Sequence, residues 1–395
     1  DQVGEAAVVT RSTAVPDANP ECRAALERGI PLFGRPEVLG AISVLRHTIA
    51  VAGTHGKTTT SSMLALVLRE AGLRPSFIIG GDVNEIGTGA AWDVGDLLVV
   101  EADESDGSFL ELSTRFGLVT NLEPDHLEHH GGFDPLLDAF DRFVEAVDGP
   151  VVVGVDDAEG AALAARHGTA TVGTSAGSDW RLSGVVESWE GVRFTLTGPV
   201  TGAFGLELPV PGLHNARNAA SAAAVAVLAG ATPEAVASAL ARFGGVARRF
   251  EHRGQAAGVV LVDDYAHLPT EVGAVLATAR SGGFSRVVAV FQPHRFSRTE
   301  ALWSSFGGAF DDADVLFVTD VYPSGEAPRP GVSGRLVADA VVRDRPGADV
   351  RYVARREDLL DALVGELREG DLCLTMGAGD LTAVPDQLRA RLGAS

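Results

Sequence analysis

The chain has 395 residues, 46% of them hydrophobic and 22% charged, which excludes a disordered or fibrous protein and allows two or three domains with separate cores. A formal net charge of −21 excludes a protein that tracks nucleic-acid phosphates with Lys and Arg, so an anionic ligand must be held by local positive groups. Two cysteines, Cys22 and Cys373, make no disulfide framework and point to a reducing cytoplasm.

The opening residues, Asp1-Gln2-Val3-Gly4, lack the basic start and apolar run of a signal peptide, and the chain does not begin with Met. Val8-Val9-Thr10 predicts a short strand, Asn19 to Gly29 a helix opened by Pro20, and Pro31 to Phe33 another strand. Thr48 to Ala52 is an apolar strand that runs into Gly53-Thr54-His55-Gly56-Lys57-Thr58-Thr59, after which Met63, Leu64, Leu66 and Leu68 mark a helix. In a strand, glycine loop and helix of this kind, backbone N–H groups converge on phosphate oxygens, a lysine reaches the terminal phosphates and a hydroxyl ligates Mg²⁺. Lys57 and Thr58 occupy those places, although Val51 stands where the commonest form of the motif has its first Gly. Of 32 basic side chains, Lys57 is the only lysine, and its compact ammonium makes a point contact that a planar guanidinium does not.

Leu97 to Val100 predicts a strand ending in Glu101-Ala102-Asp103-Glu104-Ser105-Asp106, an acidic cluster placed to hold Mg²⁺ beside the phosphate loop. Leu118 to Asn121 predicts a third strand, followed by Glu123-Pro124-Asp125-His126, and His126 is the histidine suited to a metal or a phosphoryl group, with His129 and His130 on the surface. Val151 to Gly154 adds a strand to a mostly parallel sheet. Between 179 and 210, Arg181 to Glu187, Val192 to Leu196 and Phe204 to Val210 predict short antiparallel strands. Helices follow at His214 to Leu228 and Pro233 to Phe243. The apolar run Ala219 to Gly230 is about a dozen residues, short of the roughly 18 that suggest a membrane span.

A turn-rich boundary at Gly244 to Gly254 carries Arg248 and Arg249. Beyond it, strands at Val259 to Tyr265, Arg286 to Gln292, Val315 to Val321, Arg351 to Val353 and Leu372 to Met376 alternate with helices at Thr270 to Arg280, Arg298 to Phe310, Arg356 to Leu367 and Leu381 to Leu392, the pattern of a doubly wound α/β domain. Asp263 to Pro269 and Phe291 to Arg298 each end a strand and lead into a helix. His294, Arg295 and Arg298 there suit a carboxylate or phosphate.

Taken in order, Gly53 to Thr60, Glu101 to Asp106 with Ser108-Phe109, Thr120-Asn121 through His126, Pro211-Gly212 with His214-Asn215 and Asn218, Arg248-Arg249-Phe250, Asp263 to Pro269, Phe291 to Arg298, Tyr322 with Gly325-Glu326, and Gly377 to Asp380 resemble the Mur ligases, in their L-alanine-adding branch. The resemblance implies a partial Rossmann-like UDP-binding domain at 1–46, a central P-loop ATPase-like α/β domain with a small antiparallel sheet at 47–247, and a C-terminal doubly wound α/β ligase domain at 248–395. It implies a peptidoglycan-synthesis enzyme that uses ATP and Mg²⁺ to phosphorylate the lactyl carboxylate of UDP-N-acetylmuramate. The amine of L-alanine then attacks the acyl phosphate. By the same resemblance Gly53 to Thr59, Asn215, Asn218, Arg249 and Asp264 bind ATP, while Thr58, Glu101 and His126 ligate Mg²⁺. Lys57, His126, His267 and Arg295 carry the chemistry, and Ser12, His267, His294, Arg295 and Arg298 meet the substrates.

Three departures qualify it. The Gly-rich turn and first strand that open the family's UDP-binding domain are not in the sequence, which reads as N-terminally incomplete. Leu268 stands where a second His is common, and no lysine is present for carbamylation near the second metal. A recycling ligase that attaches a tripeptide to the same nucleotide and a nucleotide-binding fragment without turnover are the competing expectations.

Overall fold

The computed structural model describes residues 3–12, 15–105, 107–124 and 130–393. Two compact bodies account for them: Asp1–Val185 with Arg193–Leu208 and Asn215–Phe243, and Val186–Val192 with Pro209–His214 and Gly244–Ser395.

Near the start, β1 (Val9–Arg11) and β2 (Leu32–Gly34) pair in parallel as a two-stranded sheet, with a helix at Pro20–Glu27 between them. Asn19 caps that helix by accepting from the Glu21 N–H, and Pro20 opens it where an N–H would have no partner. Then β3 (His47–Ala52), β4 (Ser76–Val83), β5 (Thr88–Ala91), β6 (Leu97–Glu101), β7 (Thr114–Val119), β8 (Val151–Gly154), β9 (Ala170–Gly173), β10 (Trp180–Ser188), β11 (Gly191–Gly198) and β12 (Gly202–Leu208) join one ten-stranded sheet. Its order is β12-β11-β10-β9-β8-β7-β3-β6-β4-β5. Apolar residues run without alternation through Ile49 to Ala52 and Leu97 to Val100, and all are buried, as strands covered by helices on both faces require.

The antiparallel strands expected over 179–210 form, and they extend this sheet at one edge. Links as short as Trp189-Glu190 between β10 and β11 permit only antiparallel neighbours, while β10 itself pairs in parallel with β9. The third expected strand begins and ends earlier than the sequence suggests. β7 stops at Val119, so Thr120 and Asn121 leave the sheet and spend their polar groups on the loop that follows β3.

The second body holds β13 (Glu251–Ala256), β14 (Val259–Asp264), β15 (Arg286–Phe291), β16 (Val315–Val318), β17 (Asp349–Tyr352) and β18 (Asp371–Met376), in the order β13-β14-β18-β15-β16-β17. β13 is antiparallel to β14 and begins inside what reads in the sequence as a turn-rich boundary, because its residues are mostly polar and its register shifts at Gly254. The other pairs are parallel. The helix expected at Arg298 to Phe310 is shorter, Phe296–Leu302, and passes into a 3₁₀ turn at Trp303–Phe306. Phe306 and Phe310 still reach the core, each packed on Phe291 at 5.1 and 5.3 Å between ring centres. Likewise Leu381 belongs to a 3₁₀ turn, Asp380–Ala383, ahead of the last helix, Val384–Leu392. Among the described residues no helix is long and apolar enough to cross a membrane.

Candidate functional site

In the ten-stranded sheet β3 lies between β6 and β7, so their C-terminal ends bring 53–59, 101–104 and 120–123 together at one edge, the usual ligand crevice of a parallel sheet. The loop after β3 turns on two glycines in the left-handed region, Gly53 at φ 123° and Gly56 at φ 78°. A side chain is excluded at both positions by space as well. A Cβ would stand 2.2 Å from Thr120 Oγ1 at Gly53 and 2.4 Å from Asn218 Oδ1 at Gly56. Gly56 directly precedes the helix Lys57–Glu70, whose N-terminus has no side-chain cap, leaving its first N–H groups facing the loop.

Lys57 Nζ donates to the carbonyls of Gly53 (2.7 Å) and Thr54 (3.1 Å) and to Glu104 Oε1 (2.8 Å). Glu104 is 1% exposed. Burial opposes the Lys57 charge, but Glu104 outweighs it and raises the ammonium's pKa, while burial pushes the Glu104 carboxyl up in spite of Lys57. The single lysine is thus held as a cation inside its own loop. Beside it, Thr58 Oγ1 donates to Glu101 Oε1 at 2.9 Å, and the Gly80 N–H holds Glu101 Oε2 at 2.7 Å. A hydroxyl and a carboxylate oxygen so close fit a small hard cation that retains much of its water. Among the described residues no group of three or more His, Cys, Asp or Glu is assembled for a metal. His126 lies outside the described residues.

The segment after β7 latches the loop in place. Thr54 N–H donates to the Asn121 carbonyl (3.0 Å) and His55 N–H to Asn121 Oδ1 (2.9 Å), while Thr120 Oγ1 and Asn121 Nδ2 both donate to the His55 carbonyl. His55 Nε2 lies 3.2 Å from Glu123 Oε2. His55 therefore braces the loop from outside. Asn215 and Asn218 are buried on the helix Leu213–Leu228, and Asn218 packs against Gly56. Thr59 is buried on the first turn of the Lys57–Glu70 helix.

In the second body the ends of β14, β15 and β16 carry the remaining candidates. The ring of Tyr265 meets two guanidiniums, those of Arg248 and Arg249, each 4.9 Å from its centre. Asp264 accepts from the backbone N–H groups of Phe250 (2.7 Å) and Ala266 (2.6 Å). Burial pushes its carboxyl up to about 6 against the pull of Arg249.

His267 and His294 meet edge to face at 5.9 Å, and His294 stacks on Tyr322 at 5.7 Å. Arg298 Nη1 lies 3.2 Å from His294 Nδ1. A guanidinium only donates, so Nδ1 carries the lone pair and His294 is neutral with its proton on Nε2. Burial, then His267, Arg298 and Arg295, lower its pKa to about 3. Between about pH 6.5 and pH 3 the unfolded chain takes up a proton at His294 that the folded chain does not, so this residue's contribution to stability falls with acidification. In His294→Gln that loss is absent. The wild-type melting temperature should therefore drop relative to the variant's between pH 6.5 and pH 4, and parallel curves would show that His294 is not held neutral.

Ser12 lines a cavity of about 530 Å³ with Arg11, Val15, Pro16, Gly34 and Glu37. Glu104 and Glu123 gain roles in the structure that their acidic surroundings in the sequence do not single out. An acid three positions past Glu101 was the available signal.

Two family descriptions match the chain: Mur ligase middle domain over residues 51–226, and Mur ligase, glutamate ligase domain over residues 248–379. A UDP-N-acetylmuramate–L-alanine ligase of Kineococcus radiotolerans is 48% identical over 381 residues, 94% of this chain and 80% of the relative. One from Myxococcus xanthus is 45% identical over 97% of this chain and 82% of its own length. The crystal structure of the UDP-N-acetylmuramate-alanine ligase of Thermotoga maritima superposes with a TM-score of 0.83 at 28% identity, covering 98% of this chain and 85% of that one. A murein peptide ligase of Psychrobacter arcticus shares the fold at TM-score 0.70 and 23% identity, over 97% and 85% of the two chains.

Proposed function

Because the chain belongs to the Mur ligase family, we infer that it is an ATP-dependent ligase that joins L-alanine to the lactyl carboxylate of UDP-N-acetylmuramate in peptidoglycan synthesis. The observation that carries this reading is the single lysine, Lys57, seated in the Gly53 to Thr59 loop of a chain nearly half identical to L-alanine ligases along almost its whole length.

The γ-phosphoryl group of ATP passes to a lactyl carboxylate oxygen. The bond to ADP breaks and an acyl phosphate forms. The neutral amine of L-alanine attacks its carbonyl carbon and loses a proton, and inorganic phosphate leaves as the amide forms. Phosphoryl transfer of this kind is governed by positioning and charge neutralisation. Within the 53–59 loop the backbone N–H groups that open the helix at Lys57 hold phosphate oxygens, since those of Thr54 and His55 donate to Asn121, and Lys57 exchanges Glu104 for the terminal phosphates. Thr58 and Glu101, with His126, would hold Mg²⁺, which when bound neutralises phosphate charge. Asn215 and Asn218 contact the adenine, Arg249 and Asp264 the phosphate and ribose, and Ser12 the muramyl nucleotide. His267, His294, Arg295 and Arg298 receive the carboxylates of the muramyl and amino-acid substrates. Two buried free thiols agree with a cytoplasmic enzyme.

Purified protein supplied with Mg-ATP, UDP-N-acetylmuramate and L-alanine is expected to release one phosphate per amide formed. Turnover with a tripeptide in place of L-alanine, and none with L-alanine, would assign the recycling reaction. Nucleotide binding without any product would reduce the assignment to a binding protein.

A further inference from the structure

The side chains that receive the amino acid are shaped by a segment that carries none of them. Arg295 sits in the left-handed region at φ 67°, a conformation a non-glycine residue keeps only when its surroundings impose it. Tyr322 imposes part of it, because the Arg295 N–H donates to the Tyr322 carbonyl and the Tyr322 N–H to the Pro293 carbonyl, both at 2.8 Å. The helix Phe296–Leu302 starts straight after Arg295, with no cap from the Arg295 side chain. Glu326 supplies the cap from 29 residues along the chain, accepting from the Ser297 N–H at 2.9 Å and from Ser297 Oγ at 2.5 Å. Ser297 lies between Arg295 and Arg298, so both oxygens of the Glu326 carboxylate are engaged on the turn that carries those guanidiniums. Although burial works against its charge, Ser297 and then Arg295 and Arg329 hold the Glu326 carboxyl below its usual range, which keeps it an acceptor.

We propose that Glu326 is a positioning residue for the amino-acid substrate: by binding both donors of Ser297 it fixes the turn that presents His294, Arg295 and Arg298. The proposal rests on the ligase reading above. Glu326 is not one of the residues given to ATP, so the nucleotide constant serves as the control.

Steady-state turnover with L-alanine varied, and separately with ATP varied, tests it in wild type, Glu326→Ala, Glu326→Gln and Ser297→Ala. Glu326→Ala is expected to raise the L-alanine KM about tenfold or more, the scale of a lost charge-assisted hydrogen bond, with the ATP KM within about twofold of wild type. Glu326→Gln keeps one acceptor and Ser297→Ala removes one donor, so both should shift the same constant by less. If Glu326→Ala does not fold, those two variants decide. An unchanged L-alanine KM, or equal shifts in both constants, overturns the proposal. A wild-type enzyme without L-alanine-dependent turnover overturns the ligase reading, whereas wild-type turnover with unmoved variants overturns only the role of Glu326.

Discussion

Lys57→Arg is expected to lower turnover about a thousandfold, the scale on which removing one preorganised charge contact slows such reactions. The reason is steric as much as electrostatic. Lys57 Nζ occupies a niche bounded by the Gly53 and Thr54 carbonyls and Glu104, all within 3.1 Å, and its side chain is only 13% exposed. A guanidinium is broader, presents its donors in a fixed plane and cannot settle on one phosphate oxygen from that niche. Charge is conserved in the substitution, so a large loss isolates geometry. Steady-state turnover together with a melting curve separates this from unfolding. A folded variant with near-normal activity would remove Lys57 from the phosphoryl transfer.

Glu101→Gln should cost turnover about a hundredfold and raise the Mg²⁺ concentration needed for half-maximal rate. Its two oxygens already serve Thr58 Oγ1 and the Gly80 N–H. An amide keeps one acceptor and nearly the same shape, so the sheet edge should survive. What it loses is the negative charge that makes a carboxylate the strongest of the ligands proposed for the cation. A Mg²⁺ titration of turnover reads the effect directly, with ATP held in excess. If the half-saturating Mg²⁺ concentration does not move, Glu101 is a structural partner of Thr58 and the metal is held elsewhere.

Both substitutions lie where local sequence was most informative. An apolar run, two glycines and a lysine ahead of a helical pattern mark the 53–59 loop because the N–H groups of such a loop, suited to phosphate, are neighbours in the chain. Strand ends at 101–104 and 292–295 were legible for the same reason: buried parallel strands announce themselves as unbroken apolar runs, and ligand groups cluster where those runs stop. Less was legible where local signals are weak. The hairpin β4–β5 and the edge strand β13 are rich in glycine or polar residues, and only pairing with a neighbour makes them strands.

From the sequence alone came the family, the α/β class, the glycine loop at 53–59 and the residues proposed for the chemistry, all written in contiguous segments whose periodicity and composition reflect local backbone physics. The tertiary structure alone decided the partnerships: Lys57 with Glu104 across 47 positions, Ser297 with Glu326 across 29, and Asn218 against Gly56. It also decided that the antiparallel strands prolong the central sheet. Such pairings depend on sheet order and register, which are set by the packing of whole elements, and no local pattern encodes which buried carboxylate will face which cation.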